Sequence, residues 1–283
     1  MGGTGQRWLF RLVLLLLYSY LLVAPIVVVY YSFSPGVVLK LPPDGFTLQW
    51  YANFLAQPRL LDGIWTSTLL AALSAVIAVA VGVPAAFALV RRPVRARRLV
   101  SSFLLAPLNL PGLVLAISIL MFVARWVQPL VEARVVGGFP ALLAAHVLVT
   151  TPWVIRTVSA SLEIADRTIE EAARGLGASP LATFFLVTVP AIQPGIVAGA
   201  IFAFIVSFGN FALSLFFTGP SIITLPVAIY QYVDQFQDPT VAAGSTLVIV
   251  LTTLIVIAAD RSGTVSRGVG GHNPANSHRG GTP

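Results

Sequence analysis

Side chains that could do covalent chemistry are scarce in this sequence and poorly placed for it. There is no cysteine, so disulfides, thiolate metal sites and cysteine nucleophiles are excluded. Lys40 is the only lysine, and no Gly-Lys-Ser/Thr phosphate cradle is present. Two of the histidines, His272 and His278, fall in a Gly/Ser/Asn/Pro-rich tail that reads as disordered. The third, His146, sits alone in an apolar run, where hydrogen bonding between helices is its ordinary role. No motif marks a serine that His146 could activate, which argues against a membrane serine protease. The long apolar runs contain no Asp or Glu, whereas a proton-coupled transporter needs a carboxylate inside a span. Charge gathers instead in residues 163–190, EIADRTIEEAARGLGASPLATFFLVTVP, between two apolar runs.

Such a segment belongs in water while its flanks belong in lipid. Leu162, Ala165, Ile169, Ala172, Ala173 and Leu176 recur at three- and four-residue steps, which predicts one face of an amphipathic helix. Gly177 is placed to end that helix as a left-handed cap residue. Ser179 and Pro180 suit the N-cap and first position of the next helix, which runs to Pro190 and back into the membrane.

The spacing is Glu171-Ala172-Ala173, three residues, Gly177, nine residues, then Val187-Thr188-Val189-Pro190. It resembles the cytoplasmic EAA loop of permease subunits of binding-protein-dependent ABC importers, with Val189 where leucine is usual. The resemblance implies an all-α, six-span type I (MetI-like) permease in the bacterial plasma (inner) membrane. It also implies that Glu171, Ala172, Ala173, Gly177 and Pro190 couple the chain to a cytoplasmic ABC ATPase dimer. The other implied partners are a second permease, paralogous or identical, and an extracytoplasmic solute-binding protein. No cofactor is expected in this chain, because ATP would be bound and hydrolysed by the ATPase subunits. Paired alanines would let a short helix seat deeply in a partner's groove, and the glycine would permit the sharp exit turn. The alternative is a scaffold or enzyme whose amphipathic connector lies on the membrane surface.

Composition agrees with a membrane setting. The chain is 283 residues, 57% hydrophobic and 10% charged, against roughly 25% charged in soluble domains. Its net charge of +7 is spread along the chain rather than gathered on a soluble domain, so the arginines report topology, with lipid rather than nucleic acid as the contact.

Six spans are expected, near residues 12–31, 64–90, 102–127, 139–155, 191–217 and 241–259. Gly82 and Pro84 are candidate kinks in the second, and Pro107, Asn109, Pro111 and Gly112 should break or bend the third. Most of Phe46, Trp50, Tyr51 and Phe54 can share one face of a short helix at the membrane interface, within an external loop whose wording GFTLQWYANF resembles the polyamine-type branch of these permeases. In this scheme Arg7, Arg11, Arg91, Arg92, Arg95, Arg97, Arg98, Arg156, Arg167, Arg174, Arg261, Arg267 and Arg279 share one side, and only Lys40, Arg59, Arg125 and Arg134 the other. That asymmetry places both termini and the Glu171 loop in the cytoplasm. The organisation is then residues 1–63, first span and external loop; 64–260, permease core; and 261–283, tail.

The fifth run carries the remaining polar signal. Ser207, Asn210, Ser214 and Thr218 step by three and four along one helical face. Such a stripe either lines a substrate pathway or packs as hydrogen-bonding glue against a neighbouring helix. The polyamine-type branch often reads Ser-Phe-Asp here with a further acid, whereas Ser207-Phe208 is followed by Gly209-Asn210. That removes the easiest counter-charge for a polycation. The resemblance resumes in Thr224-Leu225-Pro226-Val227 and Asp238-Pro239-Thr240.

Overall fold

The computed structural model describes residues 3–38, 40, 42, 44–93, 95–130, 138–219 and 222–261. Arg134 and all of the expected tail but Arg261, including His272 and His278, lie outside them. The described residues are nearly all helical. In chain order they form α1 (Gly3–Ser32), α2 (Gln49–Leu55), α3 (Pro58–Arg91), α4 (Arg97–Leu105), α5 (Gly112–Phe122), α6 (Phe139–Ile164), α7 (Arg167–Gly175), α8 (Pro180–Thr183), α9 (Val189–Ala191), α10 (Gln193–Phe208), α11 (Phe211–Phe217), α12 (Leu225–Gln235) and α13 (Thr240–Arg261). The only extended pairing among the described residues is an isolated bridge between Gly219 and Ile222.

Three of these helices, α1, α3 and α6, are each long and apolar enough to cross a bilayer. Two bent pairs raise the number to five if each counts as one span. The first joins residues 97–108 to 112–127 at 103°, at the Pro107-to-Gly112 cluster where sequence expects the break. The second joins residues 180–191 to 193–208 at 73°. The apolar α13 is 22 residues long.

One expectation is corrected here. Residues 191–217 do not make a continuous helix: α10 stops at Phe208 and a new helix starts at Phe211. Gly209 caps the first, and the Asn210 side chain caps the second by accepting the Leu213 N–H at 3.0 Å. An N-cap needs non-helical backbone, so Asn210 cannot also continue a helical stripe.

The chain divides into two compact units. One comprises Met1–Asp62 with Ala228–Leu254. In it, α2 is held by its aromatic side chains: Trp50 Nε1 donates to the Ser34 carbonyl at 2.6 Å, and the Tyr51 and Ser32 hydroxyls are 2.7 Å apart. Phe54 is fully buried, its ring lying where a Cβ on Gly244 of α13 would stand. The four aromatic residues therefore do not all serve a membrane interface. Trp50 and Phe54 are spent inside protein, and the largely exposed Phe46 precedes the helix.

The second unit is built on Gly63–Val227, with α6 at its centre. Val154, Ile155, Val158 and Leu162 of α6 pack with Ala75, Ala78 and Val83 of α3 and with Ala203 of α10. Glycines set how closely these helices approach. A Cβ on Gly82 would lie 2.9 Å from Val154 Cγ1, so Gly82 serves contact with α6 while α3 continues through it and Pro84. On α10, Gly195, Gly199 and Ala203 are buried at four-residue spacing, the small-residue pattern that lets membrane helices meet at backbone distance.

A candidate coupling loop and a buried polar cluster

The loop after α6 is shaped by local chemistry. Ala165 and Asp166 leave the helix in extended backbone, and the Asp166 carboxylate accepts the Thr168 N–H at 2.9 Å to cap α7. That bond holds the Asp166 pKa below its ordinary value, so the charged cap is present at neutral pH and is lost only as pH falls through the lowered value. At the other end, Ala178 N–H bonds the Ala173 carbonyl at 3.1 Å and Gly177 N–H bonds that of Arg174 at 2.9 Å. With Gly177 at φ +92°, these two bonds form a Schellman turn. Ser179 Oγ then accepts the Ala182 N–H at 3.2 Å, with Pro180 at the first helical position. Pro190 has no N–H to give the preceding turn, and the chain upstream widens into a π-helical turn over Phe184–Thr188.

The expected apolar face is divided by the joint at Ala165. Leu162 belongs to α6 and is fully buried. Ile169 and Ala172 of α7 and its C-cap Leu176 stand exposed, Leu176 at 91%, and Ala173 is half-buried. Glu171 is also exposed, in an i,i+4 pair with Arg167 at 3.3 Å.

The buried carboxylate of this loop is Glu170, at 3% exposure. Its Oε1 receives Arg91 Nε at 3.0 Å, and its Oε2 lies 3.7 Å from Arg174. Sequence reasoning passes over Glu170 and treats Arg91 as a topology signal. An i,i+4 partner such as Arg174 is legible locally, but Arg91 is 79 residues away and no periodicity links the two.

The polar residues of the fifth run are not gathered on one face. Ser207 and Ser214 are buried and turn to His146 of α6, with Ser207 Oγ 2.8 Å from Nδ1 and Ser214 Oγ 3.5 Å from Nε2. Asn210 and Thr218 are half-buried at the two ends of α11. The histidine therefore fastens α6 to both sides of the Gly209 break. Ser207→Ala should leave the Nδ1 contact unmade at a cost on the order of 1 kcal/mol. We expect a lower thermal midpoint for the purified chain than in Thr218→Ala; equal midpoints would show that the contact carries no stability.

Fold and loop together define a polytopic helical membrane protein that presents a short capped helix outside its spans. Residues 78–263 match the family described as binding-protein-dependent transport system inner membrane component, and the chain belongs to it: it is a permease subunit of an ABC importer. Among its relatives, the putrescine transport system permease protein PotI of Escherichia coli (strain K12) is 33% identical over 247 residues, covering 84% of this chain and 85% of that protein. The spermidine/putrescine transport system permease protein PotC of the same strain is 32% identical over 244 residues, covering 86% and 89%. Among solved structures, a subunit of a bacterial ABC transporter involved in the import of the acidic polysaccharide alginate aligns over 92% of this chain and 98% of its own, with TM-score 0.72 and 17% identity. A subunit of the inward-facing MetNI methionine ABC transporter aligns over 71% and 93%, with TM-score 0.59 and 25% identity.

Proposed function

We propose that this subunit crosses the bacterial inner membrane six times with both termini in the cytoplasm, forms half of a solute pathway, and is driven through α7. The observation that carries the reading is an α7 fixed by a Schellman turn with Ile169, Ala172 and Leu176 exposed. The groove that covers it belongs to a cytoplasmic ABC ATPase dimer. ATP binding closes that dimer and carries α7 with it, and the attached spans rock as rigid bodies between inward- and outward-open states. The chain is a transport subunit, not an enzyme; it holds no cofactor and leaves ATP hydrolysis to its partner. A second permease, identical or paralogous, completes the pathway, and an extracytoplasmic binding protein delivers solute.

The solute is a polyamine or a related small organic molecule. Its support is the naming of the two relatives for putrescine and spermidine, and the missing acid at Asn210 makes the recognition of a full polycation the point to test. Uptake of labelled putrescine and spermidine into cells expressing the complete importer decides it, and saturable uptake of neither would remove polyamines from the proposal. Topology is tested separately. Reporters fused after Arg98 and after Gly177 are expected to read cytoplasm and one after Asp44 the outside; a cytoplasmic signal at Asp44 would overturn the six-span arrangement.

A further inference from the structure

The only covalent link from α6 into α7 is the Ala165-Asp166 joint, both residues in extended backbone. Two extended residues make a hinge, and the other neighbours of the nine-residue helix, α8 and the Phe184–Thr188 turn, follow it in the chain. Arg91, the last residue of α3, reaches both sides of that joint. Its Nη2 donates to the Ala165 carbonyl at 3.0 Å and its Nε to Glu170 Oε1 at 3.0 Å. The two side chains are only 10% and 5% exposed, so loss of Arg91 leaves Glu170 with little water and only the longer 3.7 Å contact to Arg174. The neighbouring Arg167–Glu171 pair is about 60% exposed on both sides and constrains little. Arg91 is also anchored to a stiff base, because α3 meets α6 closely at Gly82, against Val154, and α10 meets α6 closely at Gly195 and Gly199, against Ser161 and Thr157.

We infer that Arg91 is a positioning residue: by bridging the Ala165 carbonyl and Glu170 it turns the hinge into a rigid bracket, so that a displacement of α7 reaches α3 as well as α6. This rests on the coupling role proposed for α7. The absence of cysteine makes the mechanical part directly measurable. Gly175→Cys on α7, where an added Cβ meets nothing, and Val76→Cys on the exposed side of α3 take a pair of spin labels without background. In the full chain in lipid nanodiscs, the inter-label distance distribution is expected to be narrow, to broaden in Arg91→Ala and in Glu170→Gln, and to stay closer to the parent width in Arg91→Lys, which keeps a charged N–H donor. The conservative Arg91→Lys, read beside Arg91→Ala, separates loss of the bracket from simple misfolding.

The functional arm uses the importer reconstituted with its ATPase, second permease and putrescine-loaded binding protein. Arg91→Ala should still copurify with the ATPase and keep basal hydrolysis, while the ratio of stimulated to basal hydrolysis falls roughly tenfold. An unchanged distribution in Arg91→Ala, or a broadened one with an undiminished ratio, overturns the inference. Ala173→Glu serves as the reference for the coupling reading. If it retains full stimulation, that reading fails on its own account; if it loses stimulation while Arg91→Ala keeps both width and ratio, only the bracket fails.

Discussion

Gly177→Val is expected to leave the subunit in the membrane, bound to its partners, and unable to pass stimulation from the binding protein to the ATPase. The residue sits at φ +92°, and an added Cβ there meets nothing within 4 Å, so the effect is conformational and not a clash. A β-branched residue is strongly disfavoured at positive φ, at ~1–3 kcal/mol. Relief of that strain breaks the bonds from Gly177 N–H to Arg174 and from Ala178 N–H to Ala173, and with them the exit angle of α7. Ala173→Glu should reach the same loss by another route, placing a charge where the ATPase groove would have to desolvate it. Glu171→Ala should be mild, because its pair with Arg167 is exposed and worth ~0–1 kcal/mol. The measurement is solute-stimulated ATPase activity of the reconstituted importer. Full stimulated turnover in both Gly177→Val and Ala173→Glu would falsify the assignment of α7 as the coupling element.

A large stability effect is expected at Gly199. A Cβ there would stand 2.6 Å from Thr157 Oγ1 and 3.1 Å from Val154 Cα, and the second neighbour is backbone that cannot rotate away. Gly199→Leu therefore forces α10 off α6 or distorts both, an overpacking cost of ~3 kcal/mol or more at a site this close. Folded yield and thermal midpoint of the detergent-solubilised chain should both drop sharply. Thr157→Ala in the same background should recover only part of the loss, because Val154 Cα remains in the way. Gly175→Leu, on the open surface of α7, is the control and should change the midpoint little. A Gly199→Leu protein as stable as its parent would mean that the two helices are not in backbone contact.

What the sequence determines by itself is whatever a few adjacent residues decide. The α7 terminus at Gly177, the Ser179 cap and the bend at Pro107 to Gly112 are legible because capping and helix breaking act within one or two turns. The family is legible for a related reason, since the Glu171-to-Pro190 spacing is a short local pattern that resembles the EAA loop of these permeases. The break at Gly209-Asn210 is written just as locally, yet a long apolar run on both sides reads as one helix until the Asn210 cap is seen. Tertiary structure alone decides which faces are covered. Ile169 and Leu176 carry the same periodicity as the buried Leu162, but the extended joint at Ala165 points the helix they share elsewhere. It also selects Glu170 over Glu171 as the buried carboxylate, brings Arg91 to it from the end of α3, and closes His146 onto Ser207 and Ser214. Such pairs join helices far apart in the chain. Burial and hydrogen bonding there depend on which helices pack side by side, and helical period says only which residues share a face, not what that face will meet.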